Sequence, residues 1–220
     1  MNSVKAVLLD FNGTMFFDSE FHAMAWDKIY VNLNGDVENR PDSNFYRGPR
    51  NDDILKKIGP WLTKEERNTY SKKKEVYYRQ ICKENPDIVH LSPGTIEFLD
   101  FLKGTDIQYA IVSSSIKDNV DFYFEQFNLS NWFDAEHVVY DDGSFSDKTE
   151  MYKEAAKRMK VNLSECLVVE DSLTAIRHAK ACEIGCIVGI GTETNIEDMY
   201  LAGIDHHMND FNEFDKKWLE

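Results

Sequence analysis

The stretch Val4-Lys5-Ala6-Val7-Leu8-Leu9-Asp10-Phe11-Asn12-Gly13-Thr14 decides how this chain is read. Its first six residues form a short, nearly continuous apolar run that stops at an aspartate, the pattern of a strand buried on both faces of a parallel sheet. Three more runs read the same way: Ile107 to Val112, Cys166 to Val169, and Ile184 to Ile190. Helical spacing separates them, at Thr95 to Leu102, Ile116 to Phe127, Glu150 to Met159 and Leu173 to Ala181. Strands alternating with helices of this length predict crossover units, hence a doubly wound, mostly parallel α/β sheet. From Asp205 onward the chain turns acidic and aromatic, and a short edge strand followed by a helix or loop is expected there.

One segment breaks the alternation. From about Asp18 to His90 the apolar residues keep helical spacing, as at Phe21, Ala25, Trp26, Ile29 and Tyr30, then Ile54, Leu55 and Ile58, then Tyr70 to Ile81. This predicts an all-helical domain inserted directly after the first strand, with linkers near Phe16 to Asp18 and Val89 to Gly94. The expected division is a core of residues 1–16 and 91–220 and an insert of residues 17–90.

With 220 residues, 42% of them hydrophobic, the chain can fill one core and a modest insertion. A formal net charge of −14 argues against a nucleic-acid backbone as partner, because that affinity comes from Lys and Arg neutralising phosphates. A small anionic substrate is compatible with such a chain if a metal and a few lysines or arginines build a local positive site. Cys82, Cys166, Cys182 and Cys186 lack C-x-x-C pairing and read as reduced thiols of a cytosolic protein. No apolar run approaches the roughly 20 residues that span a bilayer, and Met1 to Lys5 is too short and polar for a signal peptide. A cytoplasmic monomer with no membrane partner is expected.

In open parallel sheets ligands bind outside the carboxyl ends of the strands. The residues there are polar: Asp10 to Thr14, Ser113-Ser114-Ser115, and Glu170-Asp171-Ser172, while Lys148 opens the helix leading into the third of these strands. Singly, they read as a turn, two helix caps and a solvated lysine. Together they supply a carboxylate nucleophile, hydroxyl and backbone donors, a cation, and carboxylates able to hold a metal.

In these motifs and their order the chain resembles the haloacid dehalogenase (HAD) superfamily, and within it the β-phosphoglucomutase-like and small sugar phosphatase subgroup. The resemblance implies a Rossmann-like core with a helical cap after the first strand. It makes Asp10 the nucleophile that becomes an aspartyl-phosphate, and Thr14 the hydroxyl residue closing the Gly13 loop. Ser113 and Ser114 bind the phosphoryl group, Lys148 pairs with nucleophile and phosphoryl oxygens, and Asp171 with Glu170 ligates Mg²⁺ together with Asp10 and the Asn12 carbonyl. In the insert, His22-Ala23-Met24-Ala25-Trp26 is similar to that group's cap entrance, and Arg47-Gly48-Pro49-Arg50 to its recognition loop, with the basic residue at Arg50 instead of Asn51. Lys74 falls where a cap lysine can reach substrate, although the run Lys72-Lys73-Lys74 reads first as a solvated helix face. His206 and His207 lie away from every motif and read as structural.

Asn12 departs from the pattern. The subgroup places there an aspartate that acts as general acid and base, which a carboxamide cannot do. The implied activity is a Mg²⁺-dependent phosphatase or phosphomutase acting on a small phosphorylated metabolite such as a sugar phosphate. The alternatives are a catalytically weakened binder of such a metabolite, or an enzyme for activated phosphoryl substrates. The Asn12-Gly13 step is also expected to be prone to deamidation, since glycine does not hinder succinimide closure.

Overall fold

In the computed structural model, which describes residues 3–36, 38–46, 49–192 and 194–220, the apolar run after Val4 forms strand β1 (Ala6–Leu9), every residue of it buried. The chain divides into two compact units, one comprising residues up to Phe17 together with Leu91–Glu220, the other Asp18–His90.

The second unit holds α1 (Ser19–Asn34), α2 (Asn51–Ile58) and α3 (Lys64–Glu84). Its core is Trp26, Ile29, Tyr46, Ile54, Leu55, Ile58 and Leu62. Helix α3 starts sharply because Thr63 and Glu66 form a reciprocal cap, the Thr63 amide donating to Glu66 at 2.8 Å and the Glu66 amide to Thr63 Oγ1 at 3.3 Å.

The first unit continues with α4 (Thr95–Lys103), β2 (Gln108–Ile116), α5 (Lys117–Phe127), β3 (Val138–Asp141), α6 (Lys148–Met159), β4 (Cys166–Glu170) and α7 (Leu173–Ala181). It closes with β5 (Cys186–Ile190), α8 (Ile196–Ala202) and β6 (His206–Met208). The six strands make one sheet in the order β3-β2-β1-β4-β5-β6, and all its pairings are parallel. Ala6, Leu8, Ala110, Val112, Cys166, Val168 and Ile187 pack in one core with α6, α7 and α8. The alternate residues Val7, Leu9, Ile111, Leu167, Val169 and Val188 are equally buried. With successive side chains pointing to opposite faces, this is a sheet covered on both sides, as the unbroken apolar runs require.

The structure departs from the sequence reading in several elements. Strand β2 does not stop at Val112 but runs through the three serines to Ile116, its register to β3 shifting between Ser113 and Ile116. Strand β3 was not expected, because only Val138 and Val139 precede a polar tail, and α8, seven residues long, is too short to display a helical period. Helix α6 opens at Lys148, as its place in the sequence implies, because the Asp147 carboxylate caps it by accepting the Thr149 amide at 2.7 Å. Strand β5 begins at Cys186 instead of Ile184.

After the edge strand β6 the tail forms short 3₁₀ turns, with His206 stacked on Trp218 and His207 Nε2 3.0 Å from the Gly191 carbonyl oxygen, so both histidines pack structurally. All four cysteines are buried and unpaired, and burial pushes the thiols of Cys82, Cys166 and Cys186 up to about 12, which leaves them protonated and unreactive. Among the described residues no helix is long and apolar enough to cross a membrane.

Candidate active site

The sheet order reverses on either side of β1, and this is where a doubly wound sheet opens a crevice at its carboxyl edge. Leu9 pairs with Val169, so the next residues of the two strands, Asp10 and Glu170, emerge side by side. The Asp10 amide is still held by the Val169 carbonyl at 3.1 Å, which keeps its carboxyl at the strand end. Lys148, the first residue of α6, reaches the same point. Its ammonium donates to Asp10 Oδ1 at 2.5 Å, to Glu170 Oε2 at 2.7 Å and to the Val112 carbonyl at 2.9 Å. Tyr152, one turn further along α6, donates its hydroxyl to Glu170 Oε2 at 3.1 Å.

These groups are all buried, and burial sets their electrostatics. Desolvation, reinforced by Glu170 and opposed by Lys148, pushes the Asp10 carboxyl up to about 7. Burial, then Glu170 and Asp10, likewise hold Asp171 well above the usual carboxylate range. For Lys148 burial would lower the ammonium, but the carboxylates of Asp10 and Glu170 outweigh it and hold the lysine above its ordinary value. Asp10, Glu170 and Asp171 each offer an oxygen within 4.8 Å of the others. One ammonium cannot offset three ionised carboxylates, which is why Asp10 and Asp171 are held toward their protonated forms. An all-oxygen donor set of this kind fits a hard divalent cation.

Gly13 shows how closely this cluster is built. It adopts φ +76°, and a Cβ placed on it would lie 2.2 Å from Asp171 Oδ2, so only glycine lets the turn and the carboxylate share this space. Its amide donates to the Phe16 carbonyl at 2.8 Å, closing the loop.

Beside Asp10 the Asn12 carboxamide is held from two sides. Its Nδ2 donates to the Tyr123 hydroxyl at 2.8 Å, and its Oδ1 accepts from Ser115 Oγ at 2.6 Å, with Ser113 Oγ at 3.5 Å. Tyr123 is fixed in turn by stacking on Phe11, ring centroids 4.2 Å apart. Ser113 is buried, whereas Ser114 is exposed on the strand. Thr14 is fully buried, its Oγ1 without a hydrogen-bond partner among the described residues while its carbonyl accepts from Ser92 Oγ at 2.8 Å.

The helical unit gathers a second set of the anticipated residues. His22 stacks on Tyr78 at 4.0 Å, its Nε2 lies 3.1 Å from Asp18 Oδ2, and its Nδ1 is 2.7 Å from the Lys74 ammonium. An ammonium only donates, so Nδ1 accepts and the ring proton on Nε2 goes to Asp18. Lys74 also donates to Glu75 Oε1 at 3.0 Å, and Asn51 Nδ2 donates to the same oxygen at 2.8 Å. Lys74 is thus not on a solvated face: it is 3% exposed, held between a histidine, a carboxylate and the faces of Trp26 and Tyr78. Arg50 stands exposed at the start of α2, and Arg47 and Gly48 lie outside the described residues.

Sequence reasoning placed Ser115 at the strand end without giving it a role, and missed Tyr152 and Tyr123. Tyr152 had a signal, being four residues from Lys148 on one helix face. Tyr123 had none, since 111 positions separate it from Asn12.

Residues 4–183 match the sequence profile of the haloacid dehalogenase-like hydrolases. The chain belongs to this family. Among solved structures it is similar to a HAD hydrolase of family IA, variant 3, from Entamoeba histolytica, with 27% identity, TM-score 0.90, and 98% of this chain and 97% of that one covered. It also shares the fold of a β-phosphoglucomutase from Clostridium difficile, with 20% identity, TM-score 0.74, and 98% and 95% of the two chains covered. A haloacid dehalogenase-like hydrolase domain-containing protein of Arabidopsis thaliana is 25% identical over 158 residues, 69% of this chain and 46% of that protein. The chain spans less than half the length of the curated relatives it matches. It is therefore an enzyme of the HAD type, whose strand-end cluster of Asp10, Lys148, Glu170 and Asp171 lies in the part matched to the family.

Proposed function

We propose that this HAD hydrolase is a Mg²⁺-dependent phosphatase of a small phosphorylated metabolite, working through an aspartyl-phosphate on Asp10. The observation that carries the proposal is the Lys148 ammonium bridging Asp10 and Glu170 within a three-carboxylate cluster at the strand ends. Asp10, Asp171, Glu170 and the Asn12 carbonyl would hold Mg²⁺, which supplies positive charge against the phosphoryl oxygens.

The chain's own residues do the rest. Lys148 keeps one oxygen of the Asp10 carboxyl engaged, leaving the other to attack phosphorus, and its fixed positive charge favours the anionic form of the nucleophile. The Ser113 hydroxyl and the Ser114 backbone amide bind the phosphoryl oxygens. Gly13 brings its loop backbone close to the reacting atoms without a side chain in the way. In the helical unit His22, Lys74 and Arg50 contribute to the choice of substrate. The buried unpaired cysteines suit a reducing compartment such as the cytoplasm.

The test is Mg²⁺-dependent phosphate release from a metabolite panel by wild type and by Asp10→Asn, with trapping of an acid-stable, hydroxylamine-labile phosphoenzyme or of a beryllofluoride adduct. The variant is expected to lose turnover by at least about 10³-fold and to form no adduct, as removal of a covalent nucleophile does. Turnover equal to wild type would rule Asp10 out. Ligand binding by wild type without release from any phosphate would favour a non-catalytic binder.

A further inference from the structure

The group that follows the nucleophile into the site is a carboxamide, and the fold holds it as one. Asn12 Nδ2 gives a proton to Tyr123 Oη at 2.8 Å, while Oδ1 takes one from Ser115 Oγ at 2.6 Å and faces Ser113 Oγ at 3.5 Å. Ser115 and Tyr123 are themselves 3.3 Å apart, so the three side chains close a ring around the amide. An amide neither releases nor takes a proton at neutral pH, and in this orientation it can only donate or accept hydrogen bonds. The ionisable groups packed around Asp10 in the same unit are otherwise engaged: Lys148 has three acceptors, Glu170 accepts from both Lys148 and Tyr152, and Asp171 shares with Asp10 and Glu170 the oxygen cluster that would hold the metal.

We infer that this enzyme acts on phosphoryl donors whose leaving oxygen departs without a proton, namely acyl phosphates and phosphates of acidic hydroxyls such as enols and phenols. The inference rests on the phosphatase reading above and narrows its substrate class. In the first step the bond from an Asp10 oxygen to phosphorus forms as the bond from phosphorus to the leaving oxygen breaks. That oxygen keeps the electron pair and leaves as a carboxylate, enolate or phenolate, each stable enough at neutral pH to need no acid. An alkoxide from a sugar or glycerol ester is not, so such esters are disfavoured. In the second step a water oxygen bonds to phosphorus, the Asp10 oxygen recovers its pair, and the water's proton goes to solvent.

The test uses the full chain with Mg²⁺ and compares acetyl phosphate, 4-nitrophenyl phosphate and glycerol phosphate, on wild type, Asn12→Asp and an Asp10→Asn blank. The Asn12→Asp change is nearly isosteric, and the Ser115 and Tyr123 hydroxyls can both rotate to donate to a carboxylate, so the variant should fold. A positioned acid is worth about 10²- to 10⁴-fold, so wild type is expected to prefer the two activated donors over the alkyl ester by at least about 10²-fold, and Asn12→Asp to shrink that preference by a similar factor. Comparable wild-type rates on acyl and alkyl phosphates would overturn the inference. An equally steep preference in both proteins would also overturn it, by showing that Asn12 does not set it. No turnover of any donor by either protein above the blank would instead sink the phosphatase reading itself, and this inference with it.

Discussion

Lys148→Met removes the ammonium at the centre of the site while keeping most of the side-chain volume. The lysine holds Asp10 Oδ1 at 2.5 Å and Glu170 Oε2 at 2.7 Å in a setting where all three groups are buried. Removing one partner of a buried ion pair costs roughly 3–5 kcal/mol, because the remaining charges stay desolvated and uncompensated. The loss should depend on pH with a definite sign. Asp10 is already raised to about 7, and Asp171 well above its ordinary value, with Lys148 pulling both back down. Without the lysine both rise further. The folded variant then holds protons that the unfolded chain has released, so stability falls as pH rises through this window and is regained on acidification. Denaturant unfolding in the presence of a chelator, at about pH 8 and about pH 5.5, should therefore show the full loss at the higher pH and a smaller one at the lower. A variant as stable as wild type at the higher pH, or an identical loss at both, would refute the account of Lys148 as the counter-ion of this cluster.

Gly13→Ala should destabilise the fold by about 1–2 kcal/mol from the positive φ alone, and displace the Asp171 carboxylate that its methyl would meet. The apparent Mg²⁺ affinity read from activity should fall about 10-fold or more, whereas unchanged affinity would separate Asp171 from the metal. Deamidation at Asn12-Gly13 should be suppressed in the native protein, contrary to the bare dipeptide: the Gly13 amide is engaged by Phe16 at 2.8 Å, and the Asn12 amide by Tyr123 and Ser115. Peptide mapping after incubation should find aspartate or isoaspartate at position 12 only in chain kept in denaturant, and equal conversion of folded protein would contradict the lock. Lys74→Met should cost the helical unit roughly 3 kcal/mol, since it removes the charged partner that offsets the buried Glu75 carboxylate. Thermal unfolding reads this directly, and Lys74→Met with Glu75→Gln should recover part of the loss.

Much of the architecture was legible in the chain before any coordinates. Runs such as Val4 to Leu9 and Cys166 to Val169 are apolar at every or nearly every position because both faces of their strands are covered, so they announce a parallel sheet without knowledge of their neighbours. The polar residues of the candidate site sit directly after those runs, and parallel strands place all their carboxyl ends on one edge, so Asp10, Glu170 and Asp171 could be grouped from position alone. What stayed hidden was local and weak in period: β3, with two consecutive apolar residues, and α8, with barely two turns.

The sequence by itself determined which side chains are available at the strand ends, including the carboxamide at Asn12, because strand and helix periods are local properties of the chain. Only the tertiary structure decided what those side chains do to one another. The burial that lifts Asp10 to about 7, the three acceptors around Lys148 and the seating of Lys74 between His22 and Glu75 join residues up to 138 positions apart. So does the ring that Tyr123 and Ser115 close around Asn12. Desolvation and hydrogen-bond geometry depend on which distant segments the fold packs against a group, and no pattern along the chain records that.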